Sequence, residues 1–115
     1  MTDKPRGTRL TSDAQNDTVK ENSQVTFYCT AESLPQPELE LHFDHSPLGF
    51  FNNGRFTLKH INASNQGAYG CIPRNILGTG PEAALHLTVL SKCLAHNGGT
   101  YCLSRITNTM AKHKD

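Results

Sequence analysis

The sequence predicts an all-β sandwich of two antiparallel sheets with disordered termini. Three observations carry that expectation. Apolar and polar residues alternate with a period of two in several short stretches, and no stretch shows a helical period. Gly, Pro and Asn punctuate those stretches at short intervals. Four cysteines, an even number, sit in a 115-residue chain without a single Trp.

The strands read in order. Val25, Phe27 and Cys29 alternate with Thr26, Tyr28 and Thr30, which places the first three toward a core. Ser33-Leu34-Pro35-Gln36-Pro37 is a loop with two prolines. Leu39, Leu41 and Phe43 then alternate with Glu40 and His42 as a second half-buried strand. Asn53-Gly54, set between Phe51 and Phe56, signals a tight hairpin, because both central residues of a type I′ turn need positive φ. Phe56 and Leu58 continue the alternation, and residues 62 to 67 form a polar turn. Tyr69, Cys71 and Pro73 share one strand face. Residues 75 to 81 make a hairpin tip, and Leu85, Leu87 and Val89 form a last strand.

Composition narrows the function. Eleven basic against ten acidic residues give a net charge of +1, so nothing points to nucleic acid. The hydrophobic fraction is 36% and the mean hydropathy −0.51. No apolar run approaches the ~20 residues that a membrane span needs. A coiled coil and a two-domain enzyme are equally disfavoured at this length and pattern. The first sixteen residues carry only Met1, Leu10 and Ala14 as apolar groups, so a frayed lead-in is expected there. No apolar stretch follows Met1, so no signal peptide is read; the chain is either intracellular or a segment of a longer secreted precursor.

The run Phe56-x-Leu58-x-x-Ile61-x-x-x-Asn65-x-Gly67-x-Tyr69-x-Cys71 resembles the E–F region of immunoglobulin-like domains. Cys29 lies 42 residues before Cys71, a separation similar to that of the family's B and F strand cysteines. Pro35-x-Pro37-x-Leu39-x-Leu41 looks like the start of strand C in the intermediate (I-set) class, and Asn75-x-x-Gly78 like its F–G hairpin. The resemblance covers about residues 8–90 and implies an inter-sheet Cys29–Cys71 disulfide. It also implies a tyrosine corner at Tyr69, with Gly67 permitting the turn before it. Two positions depart from the family. Leu41 replaces the strand-C Trp, so Phe43 or Phe56 is expected to fill the space. Asn65 replaces an acidic residue, which reduces any ion pair with Arg55 to a hydrogen bond.

The chain therefore divides into a disordered lead-in (1–7), an immunoglobulin-like domain (8–90) and a cysteine-containing tail (91–115). Around its Asn-Gly-Gly turn the tail can close a small hairpin with a Cys93–Cys102 bridge. Asn97-Gly98-Gly99-Thr100 also resembles part of an epidermal growth factor-like module, here with two of six cysteines, as if a next module were truncated. A zinc reading of Cys93, His96, Cys102 and His113 matches no established finger spacing.

No nucleophile motif or phosphate loop is present, and His42-Phe43-Asp44-His45 reads as strand and solvated turn rather than as metal ligands. The expectation is a non-catalytic module with no metal and no cofactor. Asn16-Asp17-Thr18 and Asn62-Ala63-Ser64 are N-glycosylation sequons at Asn16 and Asn62. Cysteine usage and sequons together favour an extracellular or cell-surface setting. Binding is left as the work. By the family's arrangement, strands C, F and G share a sheet whose outward residues are Glu40, His42, Gly70, Ile72, Ala84 and His86. Gly70 and Ala84 make this face flat, suited to a partner protein or a second copy of the chain. His42 and His86 facing each other across strand F would weaken such docking in mild acid. Ile76 and Leu77, adjacent apolar residues on the F–G tip, are a second contact candidate. No small-molecule substrate is expected, and a membrane only through a parent chain. The competing expectation is an intracellular immunoglobulin domain of the cytoskeletal type, acting as a mechanical spacer with free thiols.

Overall fold

The computed structural model describes the backbone of residues 3–96, 99–104 and 109–112, and the side chains of residues 3–90. Strand β1 (Asp3–Ser12) leads through a single 3₁₀ turn (Gln15–Asp17) to β2 (Thr18–Lys20) and β3 (Val25–Leu34). Then follow β4 (Glu38–Phe43), β5 (Ser46–Phe50), β6 (Arg55–Leu58), a second 3₁₀ turn (Ala63–Asn65), β7 (Gly67–Asn75) and β8 (Gly78–Thr79). The long β9 (Ala83–His96), β10 (Gly99–Ser104) and β11 (Thr109–Lys112) complete the series. One sheet has the order β1-β3-β6. The other runs β11-β10-β9-β7-β4-β5, with β8 beside β7 and β2 beside β9. Among the described residues, the β2–β9 pairing is the parallel exception in an otherwise antiparallel sandwich.

The period-two reading holds where both faces differ in polarity. Val25, Phe27, Cys29, Leu41, Tyr69, Cys71, Leu87 and Val89 are all buried, and Ile61 joins them from the loop before the second 3₁₀ turn. Cys29 and Cys71 form a disulfide across the two sheets, with Cα atoms 6.5 Å apart. Asn53 and Gly54 both have positive φ, 53° and 76°, and Asn52 and Arg55 exchange both main-chain hydrogen bonds. This is the two-residue hairpin that Asn-Gly specifies.

Leu41 lies opposite Cys71 in the β4–β7 register, and aromatic rings fill the space around it. Phe27 and Phe43 each place their ring centroid 4.7 Å from that of Tyr69. Phe56 sits under Gly49, the residue opposite Leu41 on β5; a Cβ at Gly49 would come within 3.1 Å of its ring. Buried Gln66 accepts a hydrogen bond from the Val89 amide at 2.9 Å and ties the turn before β7 to β9.

Three expectations need correction. Residues 3–7, expected as disordered lead-in, form the first half of β1, paired with the far end of β3. Sheet pairing uses main-chain groups, so a polar segment joins it with little apolar support beyond buried Pro5 and half-buried Leu10. Asn65 does not reach Arg55. Its side-chain oxygen accepts from the Asn62 amide at 2.8 Å and closes a capping box over the 3₁₀ turn. The alternation thought to end at Val89 gives way to a strand that continues to His96. There β9 and β10 form the expected tail hairpin, with Cys93 and Cys102 opposite each other in backbone register. The bridge between them and the zinc reading of Cys93, His96, Cys102 and His113 fall outside the residues whose side chains are described, as does the growth factor-like reading of the turn.

Candidate functional site

The inward residues of β4, β7 and β9 are buried or half-buried, so their alternates form one outward face. The register sets it out in rows. Glu40 lies between Phe50 on β5 and Ile72 on β7. His42 lies between Pro47 and Gly70, and Gly70 is opposite Ala84 on β9. His86 is opposite Ala68, one row further along. His42 and His86 therefore do not face each other across β7, contrary to expectation. His42 has a partner on its own strand: its Nε2 is 2.9 Å from Oε1 of Glu40, with both side chains more than four-fifths buried.

Gly70 and Ala84 carry almost no side chain, but Gly70 is buried, because the Glu82 carboxylate lies over it where any side chain at residue 70 would sit. The expected flat strip is therefore covered in part by a charged side chain. Ile72 is half-buried beside it. Phe50 (55% exposed) and Leu48 (45% exposed) extend the apolar surface along β5. Sequence reasoning missed both. The β-bulge between Leu41 and His42 shifts the β5 register, and no local pattern in Ser46–Phe50 announces that shift.

The second contact candidate stands at one end of the sandwich. Asn75 and Gly78 flank the two-residue turn of Ile76 and Leu77. The Asn75 side-chain oxygen accepts from the Leu77 amide, while its Nδ2 donates to the carbonyls of Asp3 and Pro35 at 2.6 and 3.3 Å. One side chain thus fixes the tip to the chain start and to the proline loop. Ile76 is 88% exposed, and Leu77 does not fold under the hairpin.

Several other polar residues have structural partners. Asp44 and His45, both at positive φ, form the turn joining β4 to β5. The Asp44 carboxylate accepts from the Ala68 amide at 3.1 Å. The Tyr69 hydroxyl donates to the Asn65 carbonyl at 2.5 Å, the tyrosine corner, and burial pushes its pKa up to about 12. The hydrogen bond to Asn65 opposes that rise, and the nearby Asp44 charge adds to it. Gly67, at φ 151°, leaves no room for a Cβ, which would come within 2.8 Å of both Asp44 and Phe43. The sequon residues Asn16 and Asn62 are both exposed, and the Asn62 side-chain oxygen accepts from the Ser64 amide at 2.9 Å. Among the described residues, no His, Cys, Asp or Glu cluster is placed to hold a metal ion. Among those residues also, no helix is long and apolar enough to cross a membrane.

Comparison with known proteins agrees with the geometry. The human probable oxidoreductase PXDNL is 33% identical over 78 residues, a match spanning 61% of this chain and 5% of that one. The chain spans about a twentieth of the length of the curated relatives it matches, so the match carries no catalytic role. The full ectodomain of mouse nectin-like molecule 4 superposes with a TM-score of 0.62 at 19% identity, covering 82% of this chain and 33% of that one. An I-band fragment of titin gives 0.65 at 16% identity, covering 78% and 34%. The family model described as immunoglobulin domain matches residues 5–75, and with the disulfide, the tyrosine corner and the sandwich in place, this chain belongs to the immunoglobulin domain family.

Proposed function

We propose that this domain is an extracellular, I-set-like recognition module that binds a protein partner, a second copy included, through the outward face of β5, β4, β7 and β9. The observation that carries the reading is the juxtaposition of Phe50 and Ile72 on either side of Glu40, beside the Gly70–Ala84 strip over which the Glu82 carboxylate lies. An exposed apolar surface bordered by charged side chains is the anatomy of a protein interface. Glu40, His42 and His86 supply the polar border, and Ile76 and Leu77 at the tip a second contact. No catalytic residue or cofactor enters this reading.

The extracellular setting is supported by the Cys29–Cys71 disulfide and by exposed sequon residues Asn16 and Asn62, which we take as glycan sites. Cys93 and Cys102 lie opposite each other in register, as a second bridge requires. On this reading the working domain includes the whole of β1 and so begins before residue 8, and the cysteine-containing residues 91–115 follow it as the start of a next module.

Sedimentation of the oxidised chain and of an Ile72→Arg, Phe50→Ser variant tests the face. Self-association that the variant loses while keeping its unfolding midpoint supports a homophilic module. If the variant self-associates unchanged, this face is not the contact. Intact mass before and after reduction tests the setting. A gain of about 4 Da on reduction reports two bridges.

A further inference from the structure

Residues 51–54 join β5 to β6 through the tight Asn53-Gly54 turn, and among the described residues no further strand forms beside the second half of β3. Pairing with β6 runs only from Val25 to Tyr28, and the Cys29 amide makes the last bond, to the Gly54 carbonyl at 3.0 Å. Beyond it, Thr30, Glu32 and Leu34 pair with Arg9, Arg6 and Asp3 of β1 on one side. Among the described residues no strand pairs with the other side. Antiparallel strands direct main-chain groups alternately to their two neighbours. Cys29 points toward β6, so Ala31 and Ser33 direct their N–H and C=O groups to the open side.

That open edge lines a cleft of about 890 Å³ between the sheets. Its far wall includes half-buried Leu39 and Phe51. The charged residues around it are Asp3, Glu32 and Glu38 against Arg6, three carboxylates and one guanidinium. Arg6 lies 3.9 Å from Asp3 and 3.7 Å from Glu32, all well exposed, so it neutralises the rim weakly.

We propose that this cleft is a β-addition site, in which an extended basic peptide segment pairs with the main chain of Ala31 and Ser33. The free edge asks for a partner with unpaired main-chain groups of its own, which selects polypeptide over nucleic acid or lipid. Thr30–Leu34 spans about 16 Å, enough for five extended residues. Inward side chains of the segment meet Leu39 and Phe51. Those at the rim meet carboxylates, which selects lysine or arginine. The site adjoins the Ile72 face at Phe50, which lines the cleft, but it uses the main chain of β3 rather than the side chains of β7 and β9.

An eight-residue peptide of alternating lysine and valine serves as probe, titrated into the full oxidised chain and followed by amide NMR. The Ala31 and Ser33 amides shift and gain exchange protection, and affinity falls as salt rises. The Glu32→Lys, Glu38→Lys variant and a peptide N-methylated along one edge each bind at least about tenfold more weakly, the scale of one lost bond or charge pair. The N-methylated peptide removes the bonds without altering the protein, so a folding defect in the variant cannot mimic the result. Equal binding of a glutamate–valine peptide overturns the proposal. So do shifts confined to Ile72 and Ala84, or no shift at millimolar peptide.

Discussion

The Tyr69 hydroxyl donates to the Asn65 carbonyl while its ring lies between Phe27 and Phe43. One side chain thus joins the E–F turn to the aromatic filling of the core. Tyr69→Phe keeps the ring but leaves a carbonyl without its partner, so it should cost about 1–3 kcal/mol in urea unfolding at neutral pH. A loss under a few tenths of a kcal/mol would mean that water replaces the hydroxyl at no cost.

Burial of the same side chain sets an alkaline limit. The Tyr69 pKa is about 12 in the fold against 10.0 for the free side chain. Below pH 10 the phenol is protonated in both states and the shift has no effect. Between the two values the unfolded chain loses its proton first, so the folded state binds more protons and stability falls as pH rises. The slope is about 1.4 kcal/mol per pH unit within that window. Tyr69→Phe has no phenol to titrate. The stability gap between the two proteins should therefore narrow from pH 10 upward, and a gap constant to pH 11.5 would contradict the assignment.

The Cys29–Cys71 bridge closes a 42-residue separation at the centre of the core. Replacing both cysteines by Ala should lower stability by about 2–5 kcal/mol, as for other small disulfide-bonded domains. Equilibrium unfolding with and without reductant checks the same quantity in the unaltered chain, and the two losses should agree to within about 1 kcal/mol once cavity effects of the Ala pair are included.

How much of this was legible in the sequence depends on which forces leave local traces. Burial leaves a period, so the alternation alone places Val25, Phe27, Leu41, Tyr69, Leu87 and Val89 in the core. Turn sterics leave Asn53-Gly54. Main-chain pairing leaves almost nothing. Hence β1 read as a frayed lead-in and the parallel β2–β9 contact was not foreseen. The recognition face was half legible. Glu40, His42 and Ile72 follow from alternation, whereas Phe50 depends on a bulge and on which strand β5 joins. The facing of His42 and His86 failed because it assumed a register that alternation alone does not fix.

Gly67 is the position where backbone and packing demands coincide. Its φ of 151° lies where a Cβ is strained, and that Cβ would come within 2.8 Å of Asp44 Oδ1 and the Phe43 ring. Gly67→Ala should cost about 1–3 kcal/mol from backbone strain alone, and more if Phe43 is pushed off Tyr69. The displacement would also break the Asp44–Ala68 bond, so altered Ala68 amide exchange should accompany the loss. A neutral substitution would show that the turn before β7 can relax.

Leu41 occupies the place where the family carries Trp, and the surroundings have adapted to the smaller side chain. Phe56 reaches under Gly49, beside Leu41, into volume that a Trp at this position would need. Leu41→Trp should therefore destabilise the fold by about 1–3 kcal/mol through overpacking, even though it restores the family residue. Leu41→Ala should cost about 2–5 kcal/mol, because a fully buried side chain against the disulfide leaves a cavity. Combining Leu41→Trp with Phe56→Ala separates the two causes. If Phe56 is what excludes the Trp, the double variant should lose less than the sum of the single losses, and unfolding midpoints of the four proteins measure that coupling directly. Strict additivity would mean that the core around Leu41 and the ring of Phe56 do not compete for the same space.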